Sequence, residues 1–300
     1  MAGATAAPGR GEAAERLEPG ADRPLVPIGH AIALGALQGV AELLPISSSG
    51  HLTLVPALLG WRYAELDANL RKAFEVAVHA GSAIALAGAL RDDLEVLARQ
   101  ALGAALALAP PALVGMALER RFDERLAQPR SIAAMQIVAG AALALADRRP
   151  ATRRYGAARS LDHLVLGLAQ AAALVPGVSR NGSTLTGARL RRFNRPSATR
   201  LSRQAALPVV AGAAMYKGGR QAREGLPREL RRPFAAGFAA ALLSTLASRP
   251  LLARMAHART YAPLGLYRMA LGTVGLVSVG VTPRFGRLAA AIGRPAHAVQ

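Results

Sequence analysis

The residues best suited to chemistry lie in one stretch, Gln38–Leu52, which reads QGVAELLPISSSGHL. Within ten residues it holds a carboxylate (Glu42), three serine hydroxyls and an imidazole (His51), and Pro45 interrupts the apolar helix that precedes them. An imidazole titrates near neutral pH, so it can take a proton from a serine or a water and return it to a leaving group. A Ser/Gly loop in front of a helix exposes backbone N–H groups that bind phosphate. The stretch therefore predicts phosphoryl chemistry.

A second break, PGVSRNGST, follows about 130 residues later, again between apolar segments. Arg180 is its strongest feature, because a guanidinium can bind two phosphate oxygens at once and stays charged when water is removed. The residues around it supply further donors: Ser179, Asn181, Gly182, Ser183 and Thr184. We predict that the two breaks meet and form one polar site inside a membrane protein.

Each of these features also has a structural interpretation. Serines are favoured helix N-caps, so Ser47, Ser48 and Ser49 could serve only to restart a helix. Arg180 could reach towards lipid headgroups along its aliphatic stem. Ionisable groups such as Glu42 and His51 are unfavourable at membrane depth unless they have a role, which favours the functional interpretation for both.

Several other polar residues lie in apolar segments and are less informative. Gln38 shares a helix face with Glu42 and can hydrogen-bond to a ligand, although an amide cannot act as a base. Glu75 and His79 also share a face, and we interpret this pair mainly as structural support for the site. Tyr267 and Arg268 either line the cavity or lie at an interface.

The composition indicates a membrane protein. Of the 300 residues 52% are apolar and only 18% are charged, and the mean hydropathy is +0.25. Ala, Gly, Leu and Val carry most of the apolar content, which suits close helix packing in lipid. The net charge of +19 is carried by arginines in short connectors, as expected of membrane-flanking loops and not of a nucleic-acid surface. The absence of cysteine excludes disulfides and thiolate chemistry.

The chain is predicted to be an all-α polytopic membrane protein with a disordered tail at 1–24, one integral-membrane domain at 25–282 and a basic tail at 283–300. An offset of 132 residues aligns Gly35, Gln38, Ala41, Ser47 and Gly50 with identical residues further on. This match predicts two inverted-topology repeats, at about 28–147 and 160–282, with about six spanning helices and two re-entrant broken segments.

The two breaks also resemble the signature regions of the bacterial undecaprenyl-diphosphate phosphatases, the bacitracin-resistance membrane proteins. The segments KAFEVAVHAGSAIAL and SATRLSRQAALPVVAGAAMYK are similar to the segments between those regions, and the resemblance extends from about residue 28 to 282. It implies removal of the terminal phosphate from undecaprenyl diphosphate, which recycles the carrier lipid for cell-wall synthesis at the outer face of the inner membrane.

Carried over by motif position, the resemblance implies a catalytic set of Glu42, Ser48, His51 and Arg180. Its phosphate contacts would be Ser47, Ser179 and Thr184. The residue types in the two breaks add further candidates for phosphate binding: Gln38, Ser49, Gly50, Asn181, Gly182 and Ser183. It also implies a divalent cation, Mg²⁺ or Ca²⁺, held by Glu42. The expected partners are the polyprenyl diphosphate and the bilayer, without nucleic acid, and a homodimer stays open.

Three positions depart from the family pattern: Gln38 stands where some members have a second glutamate, Asn181 where a serine is usual, and His79 where glutamine is common. Direct attack by Ser48 and attack by a water that it positions both stay open. A polyprenyl-phosphate transporter would share the broken helices. A type-2 phosphatidate phosphatase is excluded because Thr186 occupies its expected histidine position.

Overall fold

A computed structural model describes residues 26–89, 99–224 and 226–281, and these ranges contain helices and connections but no strand. The predicted tails at 1–24 and 283–300 lie outside the described residues. The helices, in chain order, are α1 Ile28–Leu43, α2 Ser48–Leu58, α3 Ala68–Ala89, α4 Ala101–Leu126, α5 Pro129–Asp147, α6 Ser160–Ala172, α7 Arg180–Leu190, α8 Arg195–Glu224, α9 Arg228–Ala247, α10 Arg249–Ala256 and α11 Ala262–Val281. Short 3₁₀ turns cover Arg62–Glu65 and Tyr155–Ala157.

Both predicted breaks interrupt a helix. Leu44, which precedes Pro45, is extended at φ −90° and ψ 152°, because proline disfavours the helical conformation of the residue before it. Each new helix then begins after a serine cap: Ser47 accepts a hydrogen bond from the Gly50 N–H, and Ser179 accepts one from the Gly182 N–H.

The two serine caps share an unusual backbone conformation. Ser47 has a φ of 74° and Ser179 a φ of 72°, a region that residues other than glycine rarely occupy. The two breaks are therefore built in the same way, 132 residues apart.

Small residues let the main helix pairs approach closely. A Cβ on Gly35 of α1 would overlap the carbonyl of Gly237 in α9, and one on Gly167 of α6 would lie 2.5 Å from the carbonyl of Leu106 in α4. The α5–α11 crossing has the same character, since a Cβ on Gly140 would lie 2.7 Å from the Gly265 carbonyl.

The membrane assignment rests on two helices that are long and apolar enough to cross a bilayer, Ala101–Leu118 and Pro129–Asp147. A third crossing is obtained if α9 and α10, which meet at an angle of 43°, are counted as one span. On α4, Leu102, Leu113 and Met116 expose between 63% and 80% of their surface. Within the described ranges, these criteria give a helical membrane protein with fewer spans than the six predicted, because several other helices are short or carry polar residues.

A buried carboxylate ties the helix ends together on one side. Asp147, at the end of α5, accepts hydrogen bonds from Arg189 of α7 (3.1 Å), Arg195 of α8 (2.8 Å), the Thr260 hydroxyl (2.8 Å) and the Tyr261 N–H (2.7 Å). Burial raises the pKa of Tyr261, in the connector before α11, to about 12. Its hydroxyl therefore stays protonated and donates to the Arg195 carbonyl (3.2 Å).

A second buried carboxylate, Asp162 at the start of α6, binds Arg153 (2.6 Å) and Arg191 (2.7 Å). Burial opposes its ionisation, but the hydrogen bonds from these two guanidinium groups lower the pKa of Asp162 well below its ordinary value. The arginine-rich connectors thus hold the fold together through these two aspartates.

Replacing Asp147 by alanine is expected to lower the free energy of unfolding by about 3–5 kcal/mol, because it leaves the buried Arg189 without a counter-charge. The measurement is equilibrium unfolding in mixed detergent micelles. The control is Arg120→Gln, which removes an ion pair to Glu124 from a side chain that is 82% exposed and should leave unfolding unchanged. Equal stability of Asp147→Ala and the wild type would contradict the assigned role.

Candidate active site

The structure brings the two breaks into direct contact. The Gly177 N–H donates to Ser49 Oγ across 3.1 Å, and the Asn181 amide donates to the Leu43 carbonyl across 2.5 Å. Segments about 130 residues apart in the chain therefore form one polar region.

Arg268 of α11 binds the backbone of both breaks. Its side chain is fully buried, and its guanidinium donates to the carbonyls of Pro45 in the first break and of Gly177 and Val178 in the second. Its Nε donates to Gln136 Oε1 (2.9 Å). One cation thus satisfies backbone carbonyls that the two helix breaks leave without partners.

Gln136 of α5 completes this support, because its amide donates to the Ile46 carbonyl (3.0 Å). The two supporting side chains lie so close to the restarted helices that only glycine fits opposite them. A Cβ on Gly50 would overlap the Gln136 amide, and one on Gly182 would lie 2.5 Å from an Arg268 nitrogen. The two predicted glycines therefore serve close packing.

An ion pair crosses from one break to the other. Arg180, the first residue of α7, donates to Glu42 Oε1 across 2.5 Å, and Gln38 donates to Glu42 Oε2 across 3.1 Å. The Glu42 side chain is 8% exposed and that of Arg180 is 21% exposed. The predicted carboxylate and the predicted phosphate-binding arginine therefore lie together, partly open to their surroundings.

Ser48, the first residue of α2, pairs with a residue of α3. Its hydroxyl lies 3.2 Å from Nε2 of His79, whose Nδ1 lies 2.7 Å from the Glu75 carbonyl. The same Nε2 is 3.9 Å from Glu42 Oε2. Ser48, His79, Glu42 and Arg180 thus form a continuous chain of polar contacts.

His51 is engaged elsewhere, although its position in the sequence had suggested a pairing with Ser48. Its Nδ1 lies 2.6 Å from the Ser47 carbonyl and its Nε2 lies 2.7 Å from the Tyr267 hydroxyl, and its side chain is fully buried. His51 follows Ser48 by only three residues, but its ring packs against α11, where it stacks on Tyr267.

The remaining predicted phosphate-binding residues have hydroxyls or amides that bond within the protein. Ser47 and Ser179 cap their helices, Ser49 binds the second break, and the hydroxyls of Ser183 and Thr184 donate to the Arg180 carbonyl. Asn181 Oδ1 also accepts a bond from Ser202 of α8 (2.9 Å). These residues shape the two breaks around the ion pair.

An apolar cavity of about 500 Å³ opens beside the ion pair. Its polar lining comes from Glu42, Arg180, Asn181, Thr199, Ser202 and Arg203. Its apolar lining comes mainly from one face of α3 (Ala80, Ala83, Ile84, Leu86, Ala87) and one face of α8 (Ala206, Leu207, Pro208, Val210, Ala211). The site therefore joins charged groups to a hydrocarbon surface.

The predicted cation does not find a complete ligand set in the described part of the chain. No three His, Asp or Glu side chains gather there in a way that could hold a metal ion. The two oxygens of Glu42 are already bonded to Arg180 and Gln38. A cation held by Glu42 stays a prediction of the family resemblance, and no step of the mechanism below depends on it.

Sequence reasoning did not identify Gln136 and left Arg268 and His79 without a definite role. Aligning the two halves with the offset of 132 residues pairs Gln136 with Arg268, and this match could have identified both residues. Each lies in an apolar helix. Gln136 binds the carbonyl of Ile46, and Arg268 binds that of the aligned residue Val178 in addition to that of Pro45. His79 carried no comparable signal, because its partner Ser48 is 31 residues away on another helix.

The family model described as bacitracin resistance protein BacA matches residues 31–274 of the chain. An undecaprenyl-diphosphatase of Pelobacter propionicus is 38% identical over 274 residues, which cover 84% of this chain and 98% of that protein. One from Geobacter sulfurreducens is 37% identical over 261 residues, covering 81% of this chain and 95% of the relative. A third, from Pelotomaculum thermopropionicum, is 34% identical over 270 residues, with 86% and 98% covered. The chain therefore belongs to the bacitracin resistance protein BacA family.

Proposed function

We propose that this protein hydrolyses undecaprenyl diphosphate to undecaprenyl phosphate and inorganic phosphate. Relatives that bear the name undecaprenyl-diphosphatase support the reaction. The observation that carries the proposal is the contact of the two breaks, which places Glu42 and Arg180 in the lining of an apolar cavity, with Ser48 linked to Glu42 through His79.

The shape of the site suits a charged headgroup with a hydrocarbon tail. We place the diphosphate beside Arg180 and the first prenyl units along the faces of α3 and α8, where Ile84 and Leu207 line the cavity. The helices α2 and α7 both begin at the site, and the N–H groups of a first helical turn favour a bound anion. A guanidinium has five N–H donors, and the contact with Glu42 uses one of them.

In the reaction, Ser48 Oγ attacks the terminal phosphorus, and the bond to the bridging oxygen breaks. The leaving group is undecaprenyl phosphate, which takes the electron pair of that bond and the Ser48 proton. Water then attacks the phosphoserine, the bond between Ser48 and phosphorus breaks, Oγ regains a proton from that water, and inorganic phosphate leaves. Arg180 offsets the charge on the transferred phosphoryl group, the largest demand of such reactions. Glu42 holds Arg180 in position, and His51 with Tyr267 holds the Ser47 backbone from which α2 begins.

We further propose that the halves 28–147 and 160–282 are inverted-topology repeats, with α1–α2 and α6–α7 as the re-entrant segments and about six helices that span the membrane. The matching serine caps and the paired supports Gln136 and Arg268 favour this arrangement. The bacterial inner membrane is the proposed location, with the site towards the outer face. A homodimer stays a prediction, and no observation of the described residues favours the transporter alternative.

Arg180→Ala is expected to lower kcat/KM for a prenyl diphosphate by about 10²–10³-fold, because the phosphoryl charge loses its closest cation. Arg180→Lys should recover only part of this loss, since an ammonium cannot bind two oxygens in one plane. Phosphate release by purified protein in detergent is the measurement. Arg200→Ala, which removes a guanidinium that stacks on the Tyr155 ring away from the cavity, is the matched control. Wild-type activity in Arg180→Ala would remove this arginine from the mechanism.

Attack by Ser48 predicts a phosphoserine intermediate. Brief incubation with substrate labelled in its terminal phosphate, followed by acid quenching, should leave label on the wild-type protein and none on Ser48→Ala. Ser131→Ala, on α5, is the control and should retain the label. Full turnover without covalent label in a single-turnover time course would instead indicate that water attacks directly.

A further inference from the structure

Three arginine-rich stretches come together on one side of the fold, where α5 ends. Asp147, the last residue of this membrane-crossing helix, binds Arg195 across 2.8 Å and the Tyr261 N–H across 2.7 Å. The Arg153 N–H donates to the Arg192 carbonyl across 3.0 Å. We call the face that these stretches form the arginine surface, and its stretches are 147–162, 189–200 and 248–261. It lies at the level where lipid headgroups meet a spanning helix.

The charge of the arginine surface is strongly one-sided. Its stretches hold thirteen arginines and two acidic residues, Asp147 and Asp162. Both carboxylates are buried, and each is already paired with two arginines. The other nine arginines are exposed, and none of them forms an ion pair with a described residue. The connector 90–98 lies outside the described residues, and its one arginine and three acidic residues do not offset this excess.

Arg192 occupies a backbone position at which glycine is usual. At the end of α7 the Phe193 N–H donates to the Ala188 carbonyl (3.1 Å) and the Arg192 N–H donates to the Arg189 carbonyl (2.9 Å), a pattern that requires positive φ at residue 192. Arg192 has a φ of 65°, which is unfavourable for a residue with a Cβ. The helix dipole does not explain an arginine here, because Arg189 and Arg191 already place cations at this helix end. The exposed Arg192 side chain therefore points to a partner outside the protein.

We propose that the arginine surface binds the headgroups of anionic phospholipids, and that Arg192 is one of the contacts. A guanidinium binds two phosphate oxygens at once and stays charged at a membrane surface. Free phosphate offers the same oxygens, but a surface spread over three stretches suits an array of headgroups better than a single ion. The site proposed for the diphosphate is separate, since Arg180 lines the cavity between α3 and α8.

The test compares the affinities of purified protein in neutral detergent for dye-labelled phosphatidylglycerol and for dye-labelled phosphatidylcholine. The wild type should prefer the anionic lipid by about tenfold or more, and added salt should reduce this preference. Arg192→Gly should weaken phosphatidylglycerol binding by about fivefold, the effect of one arginine near an anionic surface. Its unfolding temperature should equal or exceed that of the wild type, because glycine accepts positive φ. A purely structural arginine would give the opposite result, with binding unchanged and the unfolding temperature lowered.

A second variant, Arg148→Gln with Arg149→Gln, tests the surface without changing the backbone at residue 192 and should also weaken phosphatidylglycerol binding. The control is Arg130→Gln, which removes an exposed arginine from the opposite end of α5 and should leave the preference unchanged. Phosphate release from a prenyl diphosphate should stay at the wild-type level in all three variants.

Two results would overturn the proposal: equal affinity of the wild type for the two lipids, or unchanged phosphatidylglycerol binding in both arginine-surface variants. A third concerns the source of the phosphate. If inorganic phosphate displaces phosphatidylglycerol more strongly than chloride does at the same ionic strength, the surface binds the free ion and the assignment to lipid headgroups is wrong.

Discussion

The hydrogen bonds from the buried guanidinium of Arg268 to the carbonyls of both breaks are the contacts on which the site depends. A helix that stops inside a bilayer leaves backbone groups without partners, and each one is unfavourable in the absence of water. Arg268 binds three such carbonyls, two of them in the second break, and Gln136 binds a fourth. Because one side chain spans both breaks, neither can move without the other. The hydrogen bonds of Arg268 and Gln136 thus set the distance between Ser48 and Arg180. The polar groups of Ser48 and Arg180 are left available to a ligand.

The positions of the breaks were predictable because their causes are local. Pro45 forces Leu44 out of the helix, and a serine cap starts the next helix, so the sequence alone locates the end of α1 and the start of α2. The partner of Ser48 was not predictable in this way. The nearest imidazole along the chain is His51, but the direction of a side chain depends on how α2 packs against α3 and α11. That packing turns Ser48 towards His79 and His51 towards Tyr267.

Several residues that were predicted to bind phosphate bond instead to the protein backbone, for a related reason. Residue type identifies Ser179, Ser183 and Thr184 as donors, but a hydroxyl near the start of a helix has backbone partners within reach. Ser179 caps α7, and the other two donate to the Arg180 carbonyl. Motif position locates these residues in the second break, whereas only coordinates separate the groups that face the cavity from those that hold the turn. Arg180 faces the cavity because its long side chain extends beyond the turn to Glu42.

The presence of Glu42 in a site for a polyanion requires an explanation, since a carboxylate repels phosphate. The geometry supplies one. Before substrate binds, Glu42 neutralises Arg180, so the partly buried guanidinium is not left as an isolated charge. The second oxygen of Glu42 lies 3.9 Å from His79 Nε2, so the carboxylate also contacts α3. One carboxylate thus holds the arginine of the second break and a ring of α3 on the same side of the site. Gln38 holds its second oxygen in the direction of His79.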